Sequence, residues 1–263
     1  MTTEPEIRFE DGAGYERTMG AWSRLAGDVF LDWLRPAPGL RWVDIGCGNG
    51  AFTELAIERC APVAVEGIDP SEQQLAFARQ RHAAEVAQFC QGDAMALPFA
   101  AGEFDVATMA LVIFFVPVPA QGLAEMVRVV RPGGMVSAYA WDMPGGGFPL
   151  EPLYIEMRAM DMAPALPPSA EISRLDSLRR LWSDAGLDEV ETRMITVERT
   201  FDGFEDFWTT AMLSPAVAPR MATMAAADRD RLKDRVRQRV AAEGSGRLVL
   251  SARAHAVKGR VPQ

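Results

Sequence analysis

Trp42 to Ala56 reads WVDIGCGNGAFTELA: an apolar run, then glycines at 46, 48 and 50, then a helix-like stretch. Glycine carries no Cβ, so it allows a tight turn and lets a ligand come against bare backbone, while the amides that open the following helix favour negative groups. A run, a glycine loop and a helix in that order mark the first strand of a mainly parallel sheet that holds a nucleotide-type ligand. Asp69 ends the next apolar run, 19 residues after Gly50, where a carboxylate accepts hydrogen bonds from ribose hydroxyls. Because Ala51 can stand for a third glycine, Gly46, Gly48 and Ala51 also satisfy the dinucleotide pattern, and the loop alone leaves NAD and other ribosides open. Asp44 adds a distinction. A carboxylate at the end of the first strand repels a pyrophosphate at the helix N-terminus and suits an ammonium.

Working outward, the chain alternates short apolar runs with helical patterns: Arg41 to Ile45, a helix through Phe52 and Leu55, Val63 to Ile68, a helix from Ser71, Val86 to Cys90, then Phe104 to Ala110. This is the rhythm of a parallel α/β sheet. Ser71 and Gln74 form a capping box, Pro119 suits the first turn of a helix with Leu123, Met126, Val127 and Val130 on one face, and Arg131 to Gly134 is a turn into a strand ending at Trp141. Before the sheet, Trp22, Leu25, Ala26, Val29 and Trp33 recur on one face of a helix that Pro36 and Pro38 end. Beyond it come a short helix near Leu153 to Met160, another from Leu178 to Ala185 closed by Gly186, a strand at Val190 to Val197 and a last strand from Leu248 to Val257. Some fifty residues separate these two strands, with aromatics at Phe201, Phe204, Phe207 and Trp208. The organisation is residues 1–36 as an N-terminal helical cap, 37–142 as the cofactor-binding core, and 143–263 as the C-terminal part of the same domain with a substrate lid and insertion.

The 263 residues are 49% hydrophobic with a formal net charge of −9, enough for one large α/β domain and the wrong sign for a nucleic-acid partner. The N-terminus, MTTEPEIRFEDG, has no apolar core of a leader, and no later run approaches the ~18 apolar residues of a membrane span, so a cytoplasmic protein without a membrane partner is expected. Cys47, Cys60 and Cys90 lack metal-ligand spacing; no disulfide framework and no metal site are expected. No motif speaks to oligomeric state.

In Gln91-Gly-Asp-Ala94, after the third strand, Asp93 can accept from an adenine amino group while the next amide donates to the ring. Three carboxylates and no phosphate-loop lysine point to a cationic riboside. With VDIGCGNG, EGIDPS, GDAMALPF, GEFDVATMALVIFF and EMVRVVRPGG in order, the chain resembles a class I S-adenosylmethionine-dependent methyltransferase of the ubiquinone/menaquinone C-methyltransferase-like group, strongly over residues 15–145. The resemblance implies a Rossmann-like seven-stranded, mainly parallel sheet with S-adenosyl-L-methionine as cofactor and S-adenosyl-L-homocysteine as product. It assigns Asp44 and the loop Gly46, Cys47, Gly48, Asn49 and Gly50 to the methionyl part, Asp69 with Pro70 and Ser71 to the ribose, and Gly92, Asp93, Ala94 and Met95 to the adenine. Met109 and Ala110 would line the same cleft. GYERTMGAWSR is similar to a segment that closes over the cofactor in part of the group. Tyr15, Met19 and Trp22 there either shield the sulfonium or pack the first helix, and Tyr15, off the apolar stripe, is the better ligand candidate.

Methyl transfer needs placement more than a base, unless the acceptor must lose a proton near the step. Where many relatives have His or Asn after strand four, this chain has Phe114, in Leu111-Val-Ile-Phe-Phe115, so no catalytic residue is assigned. His82, in the second helix, and His255, in the last strand, read as structural or surface residues. Asp142 is the best acidic candidate for handling a proton, with a plain turn carboxylate as the equal alternative. The post-strand-four loop with Phe207 and Trp208 would form an apolar acceptor pocket for an aromatic or aliphatic small molecule; the alternative is that these aromatics are lid core. Cys47, at a helix N-terminus but without a histidine beside it, reads as filler, and DRDRLKDRVRQR as a solvated helix with one buried stripe. Two competing functions are an NAD-dependent oxidoreductase, for which no Tyr-x-x-x-Lys or His/Arg pair is evident, and a non-catalytic S-adenosylmethionine-binding protein.

Overall fold

The computed structural model describes residues 16–240 and 246–263. Seven strands form one sheet in the order β3-β2-β1-β4-β5-β7-β6. They are β1 (Arg41–Ile45), β2 (Ala64–Asp69), β3 (Ala87–Gln91), β4 (Phe104–Ala110), β5 (Val130–Trp141), β6 (Asp188–Phe201) and β7 (Leu248–Arg260). The sheet neighbours β3 and β2, β2 and β1, β1 and β4, and β4 and β5 run parallel, and β7 lies antiparallel between β5 and β6. The strand order reverses between β1 and β4. The crevice beyond the carboxyl ends of the strands at such a reversal is where open α/β sheets bind ligands.

Local chemistry sets the elements. The helices are α1 (Ala21–Leu34), α2 (Ala51–Cys60), α3 (Glu72–Ala78), α4 (Pro119–Val129), α5 (Glu151–Arg158), α6 (Leu175–Asp184), α7 (Phe204–Ala211), α8 (Ala218–Thr223) and α9 (Ala226–Val240). The Ser71 hydroxyl accepts from the Gln74 amide at 3.3 Å, capping α3, and Pro119 occupies the first turn of α4, where its missing N–H costs nothing. Helix α1 crosses α2 and leans on β6. Gly27 permits that approach, because a Cβ there would stand 2.8 Å from Leu55. Trp22, 1% exposed, faces Phe201 at 6.4 Å between ring centroids. At the far edge Trp182 of α6 is fully buried, and its indole N–H donates to the Val136 carbonyl at 3.1 Å, fastening the helix to β5.

Several expectations change. His82 lies in a short 3₁₀ turn, His82–Glu85, because α3 stops at Ala78. Leu25 is exposed although it belongs to the apolar spacing of α1; the buried face is carried by Trp22, Ala26, Phe30 and Leu34. The Arg131 to Gly134 turn is drawn into the start of β5, with an irregular register opposite Phe104 and Val106. Strand β6 runs from Asp188 to Phe201 and β7 to Arg260, both longer than alternation alone marks, since their lengths are set by pairing with each other. Helix α9 buries Leu232, Val236 and Val240, yet its polar face is less solvated than expected. Arg235 and Arg239 both donate to buried Glu156 of α5, and Lys233 and Arg237 donate to Glu205 of α7.

Candidate active site

A cavity of about 530 Å³ opens at the carboxyl ends of β1, β2 and β4. Asp44, Gly46, Cys47, Gly48 and Asn49 form one wall, Asp69, Pro70 and Ser71 a second, and Ala110 reaches in from β4. Gly46 takes φ +74°, and a Cβ there would meet Val112 at 2.5 Å, so both conformation and space demand glycine. Its amide and that of Cys47 donate to the Ile68 carbonyl at 2.7 and 3.1 Å, which ties the loop to the end of β2.

The loop's hydrogen bonds decide what it can hold. The Gly48 amide donates to Asp69 Oδ2 at 2.9 Å, the Gly50 amide to the Cys47 carbonyl at 2.9 Å, and the Ala51 amide to Asn49 Oδ1 at 3.2 Å. A pyrophosphate needs amides that still have a hydrogen to give; here those of Gly46, Cys47, Gly48, Gly50 and Ala51 are spent inside the protein. What the site offers instead is carboxylate oxygen. Asp69 Oδ1 also accepts from the Ser71 amide, at 2.8 Å, which leaves each oxygen a lone pair for a diol. Asp44 is 2% exposed; its Oδ2 accepts from Thr53 Oγ1 at 2.6 Å, while Oδ1 is buried with no partner among the described residues. An orphaned buried carboxylate oxygen is costly until something donates to it.

Burial pushes the Asp44 carboxyl up to about 7; the Thr53 hydrogen bond opposes this and the nearby Asp69 charge adds to it. Asp69 is also raised by burial, with the Ser71 and Gly48 amides pulling the other way. Cys47 is pushed well above the ordinary thiol range, by burial first and then by the Asp44 and Asp69 charges. It therefore stays a thiol, which suits a space-filling role and not a nucleophile.

The remaining assigned residues fall in three places. Gly92, Asp93, Ala94 and Met95 form a turn beyond β3, where Asp93 Oδ1 accepts from the Met95 amide at 2.8 Å and the Gly92 amide donates to the Asp69 carbonyl at 3.1 Å; this turn adjoins the cavity without lining it. Gly50 caps α2 below the floor with φ +79°. Met109 is fully buried and does not line the cleft: β4 alternates, so while Ala110 faces the cavity, Met109 faces α4, its Cε 3.4 Å from where a Cβ on Gly122 would be. Tyr15 lies outside the described residues. Trp22 packs into the core and is not a wall of the cavity.

Wall residues outside the quoted motifs include Ser23 of α1, Phe52 of α2, Glu72, Gln73 and Gln74 of α3, and Tyr139 of β5. The Ser23 hydroxyl is buried and has no partner among the described residues, a second polar group turned away from water. Tyr139 is fully buried against Phe30, 4.6 Å between centroids. No spacing rule joins these positions; only the crossing of α1 over the sheet does.

A second cavity, about 60 Å³, lies on the other side of Leu111 and Phe115, which border both. Met19, Phe114, Trp141, Met143 and Tyr154 are among its walls. Phe207 and Trp208 are not. They are 1% and 7% exposed inside the insertion, so the apolar pocket expected after strand four is present but is built without them. Asp142 is also otherwise engaged: Oδ2 accepts from Arg253 Nε and Nη2 at 2.9 and 2.7 Å, and Oδ1 from the Gly145 amide at 2.9 Å. His255 is buried with Nδ1 2.8 Å from the Ser173 carbonyl oxygen. Among the described residues no group of three or more metal-ligating side chains gathers, and no helix is long and apolar enough to cross a membrane.

Residues 43–138 match the family model described as a methyltransferase domain. A ubiquinone/menaquinone biosynthesis C-methyltransferase of Cereibacter sphaeroides is 38% identical over 121 residues, covering 44% of this chain and 48% of the relative. The chain thus spans about half the length of the curated relatives it matches. Among solved structures, a methyltransferase candidate of Bacillus halodurans superposes with a TM-score of 0.61 at 19% identity, over 89% of this chain and 98% of that one. A Haemonchus contortus phosphoethanolamine N-methyltransferase, solved with S-adenosylhomocysteine, superposes with a TM-score of 0.60 at 17% identity, over 95% of this chain and 56% of that one. Over residues 43–138, which hold the glycine loop, the chain is similar to the class I methyltransferases of the ubiquinone/menaquinone C-methyltransferase group.

Proposed function

We propose that this protein is a methyltransferase that binds S-adenosylmethionine in the larger cavity and methylates a small, uncharged acceptor of apolar or aromatic character. The observation that carries the reading is the donor set: a glycine loop whose amides are spent on the protein itself, beside two buried carboxylates with acceptor capacity left. A cationic amine answers Asp44 Oδ1, and a ribose diol answers Asp69. The same set disfavours a nicotinamide dinucleotide, whose pyrophosphate would lie against carboxylate and find few free amides.

When bound, the cofactor supplies a methyl group on a positively charged sulfur. The chain's own work is to hold and screen. Asp44 and Asp69 fix the two ends of the ligand, while Phe52, Val112 and Phe115 keep water from the reacting side. The smaller cavity has no carboxylate, amine or imidazole among its described walls; Tyr154 is its one titratable group. Asp142 is held by Arg253 and the Gly145 amide and His255 Nδ1 by the Ser173 carbonyl, and the apolar wall suits a neutral acceptor. The Cereibacter relative is by name a C-methyltransferase of quinone biosynthesis, which supports a ring-shaped acceptor.

The test is turnover with S-adenosylmethionine labelled in the methyl group, against neutral phenols and hydroquinones on one side and charged amines on the other. The reading expects labelled product from the neutral ring compounds. Product from the amines alone would overturn the acceptor class; binding of NADH with none of S-adenosylhomocysteine would overturn the methyltransferase reading itself.

A further inference from the structure

Two hydroxyls in the smaller cavity are left over by everything described above. Tyr154 of α5 is 2% exposed and Ser214, between α7 and α8, is 3% exposed, and both contribute to the cavity wall. Neither hydroxyl bonds a described residue, and unlike the Ser23 hydroxyl neither oxygen is wholly sealed from solvent. The rest of the wall is hydrocarbon, aromatic ring or methionine. A hydroxyl that opens on an otherwise apolar wall is free to bond the polar group of a ligand. Phe148 lies tilted against the Tyr154 ring at 5.0 Å between centroids, and Phe114 and Pro215 offer no acceptor from their side chains.

We propose that Tyr154 and Ser214 are the residues that read the acceptor, holding the hydroxyl or carbonyl group of a small neutral ring whose reacting atom lies at the Leu111–Phe115 boundary. This rests on the methyltransferase reading above. A ring fits the apolar wall, a single polar substituent fits the pair of hydroxyls, and a charge fits neither. Burial, then the Glu151 charge, pushes the Tyr154 phenol further above its usual range, so it remains a donor throughout the physiological window. The cavity, about 60 Å³, is smaller than the ~150 Å³ apolar cavity that accepts benzene in an engineered protein. A ring therefore enters by displacing a flexible wall, and Met19 and Met143 are the side chains that can give way.

The experiment compares phenol with benzene as probes of the intact protein saturated with S-adenosylhomocysteine, by ligand-observed NMR titration. Wild type is expected to prefer phenol about tenfold, the value of roughly one hydrogen bond. Tyr154→Phe should abolish that preference while benzene binding and S-adenosylhomocysteine affinity stay within about twofold; Ser214→Ala should reduce it. A merely structural Tyr154 would weaken both probes alike and leave their ratio intact, which overturns the proposal. Absence of saturable binding by either probe in wild type overturns it too. Failure of S-adenosylhomocysteine to bind wild type would instead strike the reading on which it rests.

Discussion

Asp44 is the residue on which the site's chemistry turns. Its raised pKa, about 7, sits above the unfolded value of 3.8, so between these values the folded protein holds a proton that the unfolded chain has lost. The stability tied to this group is fully present below about pH 4 and is lost as pH rises through 7. A cationic ligand reverses the preference, because it wants the carboxylate ionised. Affinity for S-adenosylhomocysteine should therefore weaken about tenfold between pH 8 and pH 6 as the proton competes. Asp44→Asn should bind weakly with no such slope, and calorimetric titration at the two pH values checks both. A flat profile in wild type would mean that Asp44 does not face the ammonium. Asp44 and Asp69 were legible because strand ends and spacing name them. Ser23, Gln74 and Tyr139 were not: each is placed by the packing of a separate element, and nothing local to any of them signals a cavity.

At the scale of elements, sequence patterning gave the sheet's rhythm because every parallel strand is a short apolar run followed by a helix. It missed the lengths of β6 and β7, which are set by pairing between distant segments. Of the fourteen residues of β6, only Ile195, Val197 and Phe201 are buried, too weak an alternation to mark its ends. The alternation that turns Ala110 into the cavity also turns Met109 to the back, a distinction that naming the strand end alone does not make. Leu111, with φ +62°, bends the chain just past β4 and becomes part of the wall between the two cavities; a non-glycine residue in that region is costly and tends to sit at functional positions. Attachment of α6 offers a clean energetic test. Trp182→Phe keeps an aromatic ring but leaves the buried Val136 carbonyl without the indole N–H. A loss of about 1–3 kcal/mol is expected, read as a fall in Tm of several degrees, with S-adenosylhomocysteine affinity unchanged because this contact is remote from both cavities. An unchanged Tm would show that the indole contact contributes nothing net.

Taken as a whole, the molecule divides its labour between the two halves of the chain. The first half, with Tyr139 of β5, builds the larger cavity, and its motifs are legible because the ligand constrains them: turns need glycine and diols need carboxylate. Walls of the smaller cavity come from both halves, Leu111, Phe114 and Phe115 on one side and Tyr154, Ser214 and Ala216 on the other. The second group carries no motif, since an acceptor pocket is a shape lined by hydrocarbon and many sequences make one. This is why Phe207 and Trp208 drew attention as pocket residues although they are insertion core, and why Tyr154 did not. The central claim is that the larger cavity takes an adenosyl sulfur compound through Asp69. Thermal melting of wild type and Asp69→Ala with S-adenosylhomocysteine or NADH tests it most directly. At about 100 times its dissociation constant, S-adenosylhomocysteine should add ~2.7 kcal/mol, a rise of several degrees, in wild type but not in Asp69→Ala, with NADH inert in both. A rise with NADH alone, or an equal rise with S-adenosylhomocysteine in a folded Asp69→Ala, would contradict the account.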